Sequence, residues 1–140
     1  VTFVDTGFFF ALFSAKDPDH ARVREAFETF KGEHLPAVLL TTDHVVSETI
    51  TLCRRRMGHK EAVFVGERLY GEKMVRIHQV SFEEQLAAFE YLKRHSDKEY
   101  SAVDCLSFLV MERLGIREAL AIDEDFTHRF VARPGPRRRT

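Results

Sequence analysis

Four carboxylates, Asp5, Glu48, Asp104 and Asp123, each fall where the residue pattern ends a strand or begins a helix. In an alternating α/β chain such positions converge on one edge of the sheet. Acids gathered there repel one another and resist ionising together unless a cation sits among them. Hard divalent ions such as Mg²⁺ take oxygen ligands and commonly hold phosphates at the same time. The pattern therefore points to a metal-dependent enzyme acting on phosphate esters. Singly, each acid has an ordinary explanation. Carboxylates suit helix N-termini, and Ser101-Ala102-Val103-Asp104 reads as a capping arrangement. Two of them, however, sit in apolar surroundings: Asp5 between Val4 and Phe8–Phe10, and Asp104 beside Val103, Cys105 and Leu106. An unpaired charge is costly there. No basic residue adjoins either, so a shared metal ion satisfies both.

The elements that must position these acids follow from periodicity and punctuation. Val1–Val4 is a short apolar, β-rich run stopping at Asp5, and a buried helix is expected over Phe8–Ala15. Asp17-Pro18 reads as an N-cap and first helical position for a helix closed by Gly32. Val38–Leu40 is a second strand, ended by Thr41-Thr42-Asp43, before a helix from Asp43 to Arg56 with Gly58 after it. Ala62, Val63, Val65, Leu69 and Tyr70 outline another helix, and Met74–Val80 alternates as a half-buried strand. Ser81-Phe82-Glu83-Glu84 is a capping box, Ser101 opens a further helix stopped by Gly115, and Ala119–Ile122 is the last inner strand. A weak edge strand is expected near Phe130 and Val131. Strand–helix alternation with short connections predicts an α/β fold: a three-layer α/β/α sandwich with a mostly parallel sheet.

At 140 residues, 44% hydrophobic and 31% charged, the chain makes one domain, expected over 1–133, followed by a basic, flexible tail at 134–140. A formal net charge of −1 argues against a globally basic nucleic-acid binder. Cys53 and Cys105 lie in apolar helical patterns without a C-x-x-C pair, which suits reduced thiols and a cytoplasmic location. No apolar run approaches the roughly 20 residues that span a bilayer. Phe8–Phe10 follows an acid rather than a basic segment, against a secretory leader. Neither a phosphate-binding glycine loop nor G-x-S-x-G occurs. His44 and Glu48 share a helix face at i and i+4, but no second histidine follows at zinc-ligand spacing, and His78 and His128 read as packing or surface residues.

Val4-Asp5-Thr6-Gly7, Glu48 within Asp43-His44-Val45-Val46-Ser47-Glu48-Thr49-Ile50, Ser101-x-x-Asp104 and Asp123-Glu124-Asp125-Phe126 resemble the acidic motifs of PIN domains. More closely, Thr2 to Ala132 is similar to the VapC-type toxin ribonucleases of type II toxin–antitoxin systems. That resemblance implies a Rossmann-like fold and a Mg²⁺- or Mn²⁺-dependent endoribonuclease leaving 5′-phosphate and 3′-hydroxyl ends. It implies a metal site of Asp5, Glu48, Asp104 and Asp123, with Thr6 and Ser101 nearby and Asp125 as an outer, auxiliary acid. It also implies a small antitoxin that inserts its tail into the acidic cleft. The chain departs from the family at Ala121, where a hydroxyl residue is common two positions before the fourth acid.

In the roles this suggests, Asp5 and Asp104 hold the main ion, Asp123 orients the attacking water, and Glu48 completes the cluster as ligand or base. Because an empty acidic site repels a phosphate backbone, basic rim residues must hold the RNA; the candidates are Arg54–Arg56 and the run Arg137, Arg138, Arg139. Apolar helices near Phe8–Phe13 and Val63–Tyr70 are candidates for a homodimer contact. Rival readings are a PIN-fold RNA-processing nuclease outside toxin–antitoxin systems, a non-catalytic RNA- or protein-binding module, and an aspartyl phosphatase or phosphotransfer domain. The last fits poorly, because Asp5-Thr6-Gly7 lacks the second aspartate of D-x-D-x-T.

Overall fold

The computed structural model describes residues 1–137, so Arg138, Arg139 and Thr140 lie outside the described residues. Five strands form one sheet: β1 (Thr2–Val4), β2 (Leu39–Thr42), β3 (Val75–His78), β4 (Glu118–Ala121) and β5 (Val131–Pro134). Their spatial order is β3-β2-β1-β4-β5, and every pairing is parallel. The helices are α1 (Thr6–Phe13), α2 (His20–Glu33), α3 (Asp43–Met57), α4 (His59–Gly71), α5 (Phe82–Arg94) and α6 (Ala102–Leu114), with a 3₁₀ turn over Glu124–His128. Right-handed crossovers place α1–α4 on one face, as the chain steps from β1 to β2 to β3. The return through α5 and α6 covers the other face and reaches β4 on the far side of β1. Succession therefore reverses between β1 and β4, the kind of switch point where such sheets bind ligands.

The central strands are buried on both faces, which is why Phe3, Val4, Ala119, Leu120 and Ala121 read as continuous apolar runs rather than alternating ones. In register, Phe3 faces Ala119 and Val4 faces Leu120, and the Asp5 N–H donates to the Leu120 carbonyl at 3.1 Å. An aromatic column ties the layers together. Phe126 stacks on Phe3 at 6.3 Å between centroids and meets Phe108 edge-on at 5.0 Å, and Phe108 meets Tyr100 at 5.1 Å. Gly115 ends α6 at φ +69°, a left-handed conformation that favours glycine.

Several expectations shift. Asp17 does not cap α2; its carboxylate accepts the Asp19 N–H at 2.8 Å in a local turn, and the helix starts only at His20. The strand after Gly32 runs Leu39–Thr42, because Thr41 and Thr42 are fully buried and the Thr41 hydroxyl donates to the Val4 carbonyl at 3.0 Å. The segment past Arg133 is anchored as far as Arg137. Pro134 ends β5, the Gly135 N–H donates to the Ala121 carbonyl at 3.0 Å, and Arg22 donates to the Gly135 carbonyl at 2.8 Å. Arg137 donates to Asp19 at 2.7 Å. Phe8, Phe9 and Phe10 are all core residues, so α1 offers no apolar face through them. Exposed apolar side chains lie instead on α4 (Val63, Phe64, Tyr70) and on α5 (Phe82, Leu86, Phe89). No helix among the described residues is long and apolar enough to cross a membrane.

Candidate metal centre

Asp5 follows β1 at the N-cap position of α1, and Asp123 follows β4 by two residues, so adjacent parallel strands deliver both to the carboxyl edge. Gly7 allows the close approach behind them: a Cβ at that position would stand 3.3 Å from Ile122 Cγ1. Asp123 is itself a cap, accepting the Asp125 N–H at 3.0 Å, which directs Asp125 back toward the same edge. Asp104 stands in the first turn of α6, in a reciprocal box: the Ser101 hydroxyl accepts the Asp104 N–H, and Asp104 accepts the Ser101 N–H, both at 3.0 Å. The 3₁₀ turn carrying Asp123 and Asp125 is clamped to the start of α6 by the Tyr100 hydroxyl, 2.7 Å from His128 Nδ1.

One carboxylate oxygen from each of Asp104, Asp123 and Asp125 lies within 4.8 Å of the others. Asp5 sits deeper, 6% exposed, and Glu48 stands on the exposed face of α3. Neither belongs to that tight trio, but the charges of Asp104, Glu48 and Asp123 all act on Asp5. Burial first, and then the charge of Asp104, push the Asp5 carboxyl up to about 8; Glu48 and Asp123 add to the effect, while the Thr6 N–H opposes it. Burial also raises Asp104 to about 6, with Asp123 and Asp125 contributing and the Ser101 N–H opposing. Asp125 is raised as well, by burial and then by Asp123. The shifts share a sign because burial leads in each case and neighbouring carboxylates add to it, outweighing the opposing pull of His128 on Asp125.

The donor set fits a hard divalent ion. Its ligand atoms are all oxygens, its acids lose their protons reluctantly without compensation, and the Thr6 hydroxyl beside Asp5 is buried with no hydrogen-bond partner. The resemblance implies an outer, auxiliary place for Asp125; the structure sets its carboxylate beside those of Asp104 and Asp123. The signal was present in Asp123-x-Asp125, because a capping aspartate turns the residue two positions on toward itself. Ala121 is fully buried beneath Asp123 and has no hydroxyl with which to orient it. His44 lines a separate small hollow with Gln85, Phe89 and Val103, while Glu48 opens on a cleft with Thr6 and Arg55, so the two share no cavity. His78 is paired with Glu84 at 3.0 Å. Of the basic candidates, Arg55 lines the Glu48 cleft, Arg54 is exposed, Arg56 lies over the Phe10 ring at 5.8 Å, and Arg137 is engaged with Asp19. Cys53 and Cys105 are buried free thiols, and burial followed by the Asp104 charge lifts Cys105 to about 11.

Comparison with known proteins agrees with this architecture. The family model of the PIN domain matches residues 2–129. The 23S rRNA-specific endonuclease VapC20 of Mycobacterium tuberculosis (strain H37Rv) is 39% identical over 125 residues, covering 89% of this chain and 91% of the relative. The crystal structure of M. tuberculosis VapC20, described as a sarcin-ricin loop cleaving toxin, superimposes with a TM-score of 0.83 at 38% identity, over 91% of this chain and 94% of that one. FitAcB from Neisseria gonorrhoeae shares the fold, with a TM-score of 0.66 at 15% identity, over 94% of this chain and 96% of that one. By the family model over most of its length and the likeness to VapC20, the chain belongs to the PIN domain family, as a member of VapC type.

Proposed function

We propose that this protein is a divalent-metal-dependent endoribonuclease, the toxin of a type II toxin–antitoxin pair, and that its target is the sarcin–ricin loop of 23S rRNA. The observation that carries the chemistry is the meeting of the Asp104, Asp123 and Asp125 carboxylates at the switch point, with the buried Asp5 carboxyl raised by burial and by the charges of Asp104, Glu48 and Asp123. The target rests on the likeness to VapC20 across most of the chain.

Asp5, Asp104, Asp123 and Asp125 would hold a Mg²⁺ or Mn²⁺ ion, with Glu48 at the rim. When bound, the ion supplies charge neutralisation at the scissile phosphate and activation of a water. The remaining work belongs to the chain. The Ser101 box and the Tyr100–His128 bond fix the α6 and 3₁₀ segments so that their carboxylates need no reorganisation. Glu48, exposed at the mouth, accepts a proton from an attacking water. We also infer a small antitoxin as partner, and a homodimer contact drawn from the exposed apolar residues of α4 or α5.

The test is cleavage of 23S rRNA and of unrelated RNA by wild type and Asp5→Asn, each with Mn²⁺ and with chelator. Cuts in the sarcin–ricin loop that need both metal and Asp5 support the proposal. Equal cleavage by the two proteins, or cleavage unchanged by chelator, overturns it.

A further inference from the structure

One cleft runs out from Thr6 and Glu48, at the edge of the acidic centre, over side chains of α3 that the metal chemistry does not use. It has a volume of about 490 Å³ and is formed by Thr6, Ser47, Glu48, Thr51, Leu52 and Arg55. Ser47, Thr51 and Arg55 recur every four residues on α3, so they form one exposed stripe running from Glu48 toward the C-terminal end of the helix. Apart from Glu48, the polar groups in this cleft are hydroxyls and a guanidinium. Thr6 stands where the cleft meets Asp5, and its hydroxyl is buried without a partner, a donor with nothing to donate to. Among the described residues, Arg55 forms no ion pair.

We propose that Thr6, Ser47, Thr51 and Arg55 form a phosphate subsite that holds the RNA backbone beside the scissile bond. Hydroxyl groups and arginine are the side chains that position nucleic-acid phosphates, and the guanidinium adds charge-assisted hydrogen bonds. An acidic centre repels the strand it must cut, so a cation on the adjoining wall supplies the attraction the centre lacks. The α3 stripe places one there without neutralising the acids, because Arg55 lies two helical turns beyond Glu48. The three consecutive arginines are therefore not equivalent: Arg55 faces the cleft, whereas Arg56 covers Phe10.

This inference rests on the nuclease reading, and its test separates the two. Binding of a fluorescent single-stranded RNA is followed by anisotropy in Mn²⁺ across a KCl series, with every protein carrying Asp5→Asn so that the RNA stays intact. Adding Arg55→Gln should weaken binding about tenfold and lower the slope of log K against log salt by about 0.7, one phosphate contact on a single strand. Adding Thr51→Ala should weaken binding with the slope unchanged, because the lost donor is neutral. Lys73→Gln, before β3 at the opposite edge of the sheet, should change neither. An Arg55→Gln slope equal to the parent's overturns the subsite while metal-dependent cleavage by wild type still supports the nuclease. Absence of both RNA binding and metal-dependent cleavage removes the nuclease reading and the subsite with it.

Discussion

Replacing Asp5 by Asn should make the metal-free protein more stable, although it removes a residue at the heart of the centre. The folded Asp5 carboxyl is pushed from 3.8 to about 8 by burial and by the neighbouring acids. It therefore holds its proton more tightly when folded than when unfolded, and wild-type stability falls as pH climbs from about 4 to about 8. At roughly 1.4 kcal/mol for each pH interval, the loss reaches about 4 kcal/mol at pH 7 and only about 1.6 at pH 5. Asparagine keeps the shape and an acceptor for the Thr6 N–H but does not titrate. Denaturant unfolding in chelator should show Asp5→Asn ahead of wild type by several kcal/mol at pH 8, with the two converging near pH 4. Mn²⁺ should narrow the gap, adding about 2.7 kcal/mol to wild type at a hundredfold excess over Kd and less to the variant, which keeps Asp104, Asp123 and Asp125. A variant no more stable than wild type in chelator at pH 8, or a gap that ignores pH, refutes the account of burial and mutual repulsion.

Ser101→Ala removes an acceptor from the α6 capping box and should cost about 1 kcal/mol in unfolding free energy, while loosening Asp104 and weakening Mn²⁺ binding measured by calorimetry. Tyr100→Phe and His128→Ala should each raise the Mn²⁺ Kd about tenfold with little change in Tm, and His128→Asn, which keeps a polar atom near Nδ1, should restore affinity. Gly115→Ala forces a Cβ into the left-handed region and should lose about 1 kcal/mol of stability in the same unfolding assay. Both thiols should resist a chromophoric thiol reagent in the native protein and react once it is denatured.

The parts of the fold that depend on local chemistry were legible from residues alone. The boxes at Ser81 and Ser101 form as written, Gly58 and Gly115 end their helices, and the strand–helix alternation yields the parallel sheet. Helix α2 starts two residues late because Asp17 satisfies a nearby N–H instead of a helical one, a choice between neighbouring local bonds that composition does not decide. The helix beginning at Phe8 reads as buried, and Phe8, Phe9 and Phe10 do face inward, since α1 is packed against both α2 and α3; Phe8–Phe13 as a homodimer contact is not decided by that packing. That Asp5 and Asp123 lie at strand ends and Asp104 at a helix start could be read from the residues; the entry of Asp125 beside Asp104 and Asp123, and the reason for Gly7, depend on how β4 and the 3₁₀ turn lie against α1. The cleft of Arg55 was invisible in sequence because three successive arginines look alike until the helix phase is known.

The pairing of β1 with β4 joins Val4 to Leu120, across nearly the whole length of the chain. During synthesis the first strand can pair with β2 early but must wait for β4, and long-range pairing of this kind is slow to form. The acidic edge therefore comes together only once the segment carrying Asp123 and Asp125 has been made, and any shorter stretch of this sequence lacks the strand pairing that sets Asp5 beside them.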